Sequence, residues 1–347
     1  MALPFAPPPK SPLGRYRLLS PTASVWVSPI CLGTMNFGNA WKEWMGECDQ
    51  STSESILDFF YEQMEEQGGN FIDSANNYQF QETEKWVGEW MRKRGNRDEI
   101  VVATKYTTNF RAGPGAPNIM LYVHWYDGNT SIPELMQSLN QLVLSGKVLH
   151  LGVSDTPAWI VSKANEYARC NGLRQFSVYQ GRWSAASRDF ERDIIPMCQA
   201  EGMGIAPWGS LGGGKFKTEE QRNAREGRRV EASEKEIRTS KVLESIANRK
   251  NTLITSIALA YVMHKTSYVF PIIGGRKVDH LKANIQALTL HLSPEDIQEI
   301  DGANEFDAGF PNDFLYRGGN SIGGPDVWLL QMGGTFDHIQ PPKARSS

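Results

Sequence analysis

From about residue 30 the chain repeats one unit. A short run of apolar and β-branched residues, introduced by glycine or charge, is followed by a longer segment whose apolar positions recur with the helical period. This pattern predicts strands over 30–35, 70–74, 100–104, 121–124, 148–154, 176–180, 204–208 and 268–273. It predicts helices over 53–67, 83–93, 132–145, 157–170, 187–201, 235–249, 254–264 and 278–288. Pro157 suits a first helical turn and Ser187 an N-cap. Eight strands alternating with helices describe parallel strands buried on both faces, and so an α/β fold of the (β/α)8 TIM-barrel type. An open doubly wound sheet would carry a glycine fingerprint after its first strand, whereas Cys31-Leu32-Gly33-Thr34-Met35-Asn36-Phe37-Gly38 contains no GxGxxG.

One connection breaks the rhythm. Between the third and fourth strands lie only the fifteen residues from Tyr106 to Met120, with two prolines, two glycines and no helical period. Parallel strands need a crossover of about a dozen residues or more, usually a helix, so this link can barely close and cannot cover the barrel. The helix between strands 3 and 4 is expected to be missing. The chain then divides into a Pro-rich extension over 1–16, a barrel over 17–300 and an irregular tail over 301–347. Within the barrel, the charge-dense stretch 215–241 reads as a long exposed loop.

Composition narrows the partners. With 36 basic and 39 acidic residues among 347, the net charge is −3, which offers no basic field to a nucleic acid or an anionic membrane. The longest apolar stretch, about 254–263, is far short of the ~20 residues that span a bilayer. Four cysteines (Cys31, Cys48, Cys170, Cys198) with no CxxC pair fit reduced thiols in the cytoplasm, not disulfides or a metal site. The expected partner is a small molecule, bound by a monomer or weak homo-oligomer.

The chemistry concentrates at strand ends. Asp73 and Tyr78 follow the second strand, Lys105 the third and His124 the fourth, and in a barrel these ends converge on one mouth. Lys105 would bring the Tyr78 hydroxyl down from about 10 towards working range, Asp73 would hold Lys105, and His124 could donate a hydrogen bond to a carbonyl oxygen. Taken singly, each has a plainer role: a loop cap, a half-buried aromatic, a solvated strand end, a core histidine. Their placement on successive strands favours proton transfer.

Farther along, Gly209-Ser-Leu-Gly-Gly-Gly-Lys215 reads formally as GxxxxGK. Phe216 stands where Ser or Thr must ligate magnesium, so a P-loop fails on its chemistry, though glycine-exposed amides could still approach a pyrophosphate.

The segments Phe71-Ile-Asp-Ser-Ala-Asn-Asn-Tyr78, Val101-Val-Ala-Thr-Lys105 and Tyr122-Val-His-Trp125 resemble, in order, the motifs that carry the catalytic residues of the aldo-keto reductase superfamily. The likeness runs from about Arg17 to Leu292 and is strongest to fungal aryl-alcohol dehydrogenases and norsolorinic-acid-reductase-like enzymes of polyketide toxin pathways. It implies an oxidoreductase acting on CH–OH groups, with NADPH/NADP+ as cofactor, reducing an aryl or polyketide-type aldehyde or ketone with the proton from Tyr78. It assigns cofactor contacts to Gly33, Thr34 and Met35 with Asp73, to Ser154, Asp155 and Gln180 at the nicotinamide carboxamide, and to Trp208 stacked on the nicotinamide. Gly209, Ser210, Leu211, Gly212, Gly214 and Lys215 would meet the pyrophosphate. Gly274, Gly275, Arg276, Lys277, His280 and Asn284 would meet the 2′-phosphate end, where His280 departs from the Arg or Gln of relatives. Relatives also carry a full helix between the positions of Met120 and Leu121. A catalytically impaired NADPH-binding or regulatory protein, or a truncated gene product, is the competing expectation.

Overall fold

The computed structural model describes residues 8–62, 68–108, 122–224, 230–316, 322 and 327–336. Eight parallel strand positions follow one another: β1 (Cys31–Gly33), β2 (Phe71–Asp73), β3 (Val101–Ala103 and Lys105–Tyr106), β4 (Tyr122–Val123), β5 (Leu151–Ser154), β6 (Phe176–Arg182), β7 (Gly204–Trp208) and β8 (Ile272–Ile273). Hydrogen bonding orders them as two parallel sheets, β8-β1-β2-β3 and β3-β4-β5-β6-β7. The sheets join at both seams. β3 is one chain segment interrupted at Thr104, whose carbonyl accepts from the Tyr122 N–H at 2.8 Å. At the other seam, just ahead of β8, the Ile205 N–H donates to the Tyr268 carbonyl and the Phe270 N–H donates to that of Ile205, each at 2.8 Å. The strands thereby follow the ring expected of a barrel.

Two apolar layers hold it. Inside the ring, Cys31, Phe71, Ala103, Tyr122, Val178 and Phe270 pack together with Leu19 and Val27. The last two come from an antiparallel hairpin, Arg17–Ser20 with Ala23–Val27, which is absent from the strands expected above. Pro21 and Thr22 supply its turn, and the Thr22 hydroxyl donates to the Gly202 carbonyl at 3.0 Å, just ahead of β7. Outside the ring, helices Gln50–Tyr61, Glu82–Arg94, Ile132–Leu144, Ala158–Cys170, Ile194–Ala200, Glu234–Arg249, Ile254–Lys265 and Val278–Gln286 supply the second layer.

Several boundaries move for local reasons. The first long helix starts at Gln50 because Asp49 caps it, accepting from the Thr52 N–H at 2.8 Å. The expected end of that helix falls on 63–67, outside the described residues. Pro157 is itself the N-cap of Ala158–Cys170, one position before the helical turn expected for it. Ser187 caps nothing: its N–H is taken up in a turn by Ser184, and the chain makes a 3-10 turn, Asp189–Glu191, before Ile194–Ala200. The stretch 215–241 is not all loop, since Thr218 and Ser233 each form a capping box that starts Glu219–Asn223 and Glu234–Arg249. A third box at Ser293 starts the unanticipated helix Pro294–Asp301, and the tail beyond includes Asn312–Leu315.

The expected missing helix falls on 109–121, outside the described residues. What lies beside it is informative: β1, β2, β4 and β5 are buried throughout, whereas Val101, Val102 and Tyr106 of β3 are only half-buried. The opposite extreme is Ile254–Lys265, apolar all round and enclosed between neighbouring helices. Leu259, at its centre, is fully buried. Leu259→Ala is expected to lower unfolding stability by about 2–5 kcal/mol, read as a fall in the urea midpoint at an unchanged slope.

Candidate active site

β2 ends on Asp73, and the chain then turns through Ser74–Asn77 to Tyr78. This turn stays attached to β3: Ser74 N–H donates to the Ala103 carbonyl (2.7 Å) and Asn76 N–H to that of Lys105 (3.1 Å). Tyr78 is thereby carried to the Lys105 side chain, which is wholly buried. An ammonium has three N–H donors, and here each finds an oxygen: Asp73 Oδ1 at 2.7 Å, the Ser74 carbonyl at 2.7 Å and the Tyr78 hydroxyl at 3.1 Å. Asp73 Oδ1 also accepts from Gln180 Nε2 at 2.9 Å, and the Asp73 carbonyl accepts from both the N–H and the hydroxyl of Thr34. His124, at the end of β4, stands edge-on to Tyr78 with ring centroids 6.3 Å apart.

Burial and charge set the protonation states. Burial alone pushes the Lys105 ammonium down, but Asp73 and Tyr78 outweigh it and leave Lys105 above its ordinary value. Burial pushes the Tyr78 phenol up, Lys105 pulls it back and Asp73 raises it again, for a net rise. This corrects the expectation that Lys105 would bring Tyr78 down: burial, joined by the carboxylate beside the lysine, outweighs the lysine's field. Burial, helped by the Lys105 charge, lowers His124 to about 4, so its imidazole is neutral near pH 7. Its Nδ1 is buried without a hydrogen-bond partner.

The remaining expected positions form an arc. Gly33 is buried at the end of β1, and the half-buried Met35 offers its carbonyl to Gln79. At the end of β5, Ser154 is buried, and Asp155 is left-handed, its carboxyl raised by burial against hydrogen bonds from Trp208 and Ser154. Trp208, ending β7, is 38% exposed. Beyond it Gly209, Gly212, Gly213 and Gly214 all have positive φ, which only glycine adopts freely. Ser210 is anchored to the Trp183 carbonyl at 3.2 Å, Leu211 is half-buried and Phe216 is buried with its ring against Gly212. Lys215 pairs with Glu236 at 2.7 Å, beside a cavity of about 480 Å3 that Lys217 and Arg222 also line. That cavity adjoins the glycine run, not Tyr78.

After β8, the Gly275 carbonyl accepts from Asn36 Nδ2 at 2.8 Å, while Gly274 is exposed. Lys277 is the N-cap of Val278–Gln286 and makes no side-chain cap, which leaves that helix start open. His280 is exposed and Asn284 buried. Arg276 leans away from this helix onto the loop after β1: a Cβ on Gly46 would fall 1.6 Å from its Nη1. The structure therefore joins Asp73, Tyr78, Lys105, His124, Gln180, Asp155 and Trp208 at one mouth, with Lys215 and Arg276 on separate flanks.

Sequence reasoning missed Gln79. It is wholly buried, and with Phe80 and Gln81 it forms three consecutive left-handed non-glycine residues, a conformation costing on the order of 1–2 kcal/mol each. No periodicity signals such a run. Among the described residues no cluster of His, Cys, Asp or Glu could hold a metal ion, and no helix is long and apolar enough to cross a membrane.

A ring of parallel strands with a buried tyrosine–lysine–aspartate cluster and a neutral histidine at the carboxyl ends is a constellation for moving a proton to or from a small-molecule oxygen. The sequence profile of the Aldo/keto reductase family matches residues 29–120 and 117–305, and the chain belongs to that family. Its members are oxidoreductases acting on CH–OH groups and generally use NAD(P)H. Among similar proteins, norsolorinic acid reductase B of Dothistroma septosporum is 53% identical over 95% of this chain and 93% of its own length. An aryl-alcohol dehydrogenase of Pestalotiopsis microspora is 52% identical over 97% and 94%. A putative aryl-alcohol dehydrogenase of Saccharomyces cerevisiae is 44% identical over 89% and 92%.

The profile match breaks within 117–120. In the first of these alignments about 330 residues of this chain, 95% of 347, occupy 369 positions, so about 40 positions of the relative face a gap. A shortened link between β3 and β4 accounts for both facts.

The low His124 value has a consequence for stability. The unfolded chain binds this proton near the usual 6.5 and the folded chain only at about 4, so folding stability is expected to fall as pH drops through that window. At about 1.4 kcal/mol per pKa unit the loss reaches roughly 3 kcal/mol. An NMR titration should show this ring neutral down to about pH 5; a midpoint above 6 would contradict the assignment.

Proposed function

We propose that this protein is a cytoplasmic, NADPH-dependent reductase of an aryl or polyketide-type aldehyde or ketone, in which Tyr78 supplies the proton. The observation that carries the reading is the buried Lys105 ammonium bound at once to the Asp73 carboxylate and the Tyr78 hydroxyl. Tyr78 stays a protonated phenol, as a proton donor must. A carbonyl oxygen at the Tyr78 hydroxyl takes that proton, and the Lys105 charge stabilises the phenolate left behind. Asp73 keeps Lys105 charged and fixed. Neutral His124, edge-on to Tyr78, can hydrogen-bond the same oxygen and orient it.

The residues present fit a dinucleotide. Trp208 offers a ring beside Asp155 and the buried Ser154 where a carboxamide would sit, and the left-handed glycines, having no side chains, let a pyrophosphate approach the backbone. NADPH, when bound, supplies the hydride that the carbonyl carbon receives. Lys277, at an open helix start, would hold the extra phosphate that separates NADPH from NADH, with Arg276 swung back to it from the loop after β1. The aryl and polyketide character is taken from the names of the relatives and supported by the aromatic side chains near the mouth.

Tyr78→Phe keeps the ring and removes the proton. It is expected to lower kcat for an aromatic aldehyde by about 10²–10⁴-fold, while NADPH still quenches tryptophan fluorescence. Undiminished turnover would end the proton-donor assignment. A wild-type protein that binds NADPH yet reduces no aldehyde would favour the catalytically impaired alternative, which the shortened β3–β4 link motivates.

A further inference from the structure

The turn after Tyr78 is fastened to the loop after β1 more firmly than proton transfer requires. Buried Gln79 bridges the two, Oε1 accepting from the Trp41 N–H at 2.7 Å and Nε2 donating to the Met35 carbonyl at 3.0 Å. Glu82 Oε2 accepts from the N–H groups of Asn39 and Ala40 at 2.7 and 3.1 Å, and the Thr83 hydroxyl donates to the Phe37 carbonyl at 2.7 Å. Gly38 leaves no space to spare, since a Cβ there would fall 2.3 Å from Gln79 Cβ. Three side chains thus tie residues 35–41 to the segment that bears Tyr78.

The outcome of this tethering is aromatic. Trp41 stands edge-on to Tyr78 at 6.4 Å and to Phe80 at 6.0 Å, with Trp44 5.5 Å away. Phe80 and Trp44 are 58% and 57% exposed, and Trp125, next to His124, is 43% exposed. A cluster of large apolar rings open to water beside a reactive hydroxyl is a surface built to be covered. Edge and face contacts between rings favour a flat, multi-ring occupant over an aliphatic one.

We propose that Trp41 is a specificity-determining wall of the substrate site, and that Gln79 is its positioning residue, holding it beside Tyr78 to receive planar aromatic carbonyl compounds of two or more rings. The assignment rests on the reading of Tyr78 as proton donor for how it affects turnover, but not for how it affects binding. Gln79 itself touches no substrate: its amide fixes the backbone of Trp41, and its left-handed conformation, continued through Phe80, sets the rim on which Phe80 stands.

The test compares the full chain with Trp41→Ala, Trp41→Phe and Gln79→Ala. Two readouts are used: kcat/KM for 2-naphthaldehyde against butanal with NADPH, and calorimetric binding of 2-naphthylmethanol. The naphthyl-to-butyl selectivity is expected to fall about tenfold in Trp41→Ala and Gln79→Ala, carried by KM, with most of it recovered in Trp41→Phe. The naphthyl alcohol should bind the two alanine variants about tenfold more weakly. An equal loss on both aldehydes, or an affinity for the alcohol that is absent in the wild type or unchanged in Trp41→Ala, would overturn the proposal. Should Gln79→Ala fail to fold, the Trp41 pair still decides the wall. Trp41-dependent binding of the alcohol with no turnover of either aldehyde would leave the wall standing and refute the proton-transfer reading.

Discussion

A buried ammonium is tolerable only when its charge is matched and its hydrogens are used, and the mouth of this barrel is organised around meeting that condition for Lys105. The carboxylate that matches it is itself held by Gln180, and its backbone carbonyl is held by Thr34. β1, β2, β3 and β6 are therefore tied together around one aspartate. Removing either member of such a buried pair leaves an unpaired charge, which costs roughly 3–5 kcal/mol. The cluster is consequently both the proposed reactive centre and a structural joint, and the protonation of Tyr78 and His124 follows from its dryness and its field.

Much of this is legible in the sequence because barrel topology turns linear order into spatial convergence. Asp73, Tyr78, Lys105 and His124 lie at or just after strand ends, and strand ends of one polarity must meet. The direction of the Tyr78 shift is not legible, since it depends on how much of the lysine's field Asp73 cancels and how much water is excluded. The hairpin Arg17–Ser20 with Ala23–Val27 is hard to read because its strands are four and five residues long and its apolar residues serve the floor of the barrel. The helix Pro294–Asp301 carries a readable start signal at Ser293 and Asp296, obscured by a tail rich in glycine, proline and asparagine. Gln79 gives no signal at all: a polar residue in a polar stretch looks solvated until the fold closes over it.

The shortened link between β3 and β4 shows where a barrel tolerates loss. β3 keeps its ladder to β4 through Lys105–Tyr122 and Tyr106–Val123 pairing, so the ring order survives on backbone hydrogen bonds. Val102 and Tyr106 of β3 are half-buried where they pack against the outer apolar layer. Chemistry on the inner rim and packing on the outer wall are separable here, because Lys105 points its ammonium to Asp73 while its neighbours face the helix layer.

Three successive side-chain-bearing residues in the left-handed region have a meaning beyond their strain. Glycines would take up that conformation readily and leave it as readily, so a glycine turn here would be hinge-like. Gln79, Phe80 and Gln81 have few other backbone states compatible with the closed fold and fewer to lose from the unfolded one. The segment between the Tyr78 hydroxyl and the helix Glu82–Arg94 is accordingly a spacer of fixed length and pitch, and the distance from that hydroxyl to the aromatic rim behaves as a ruler.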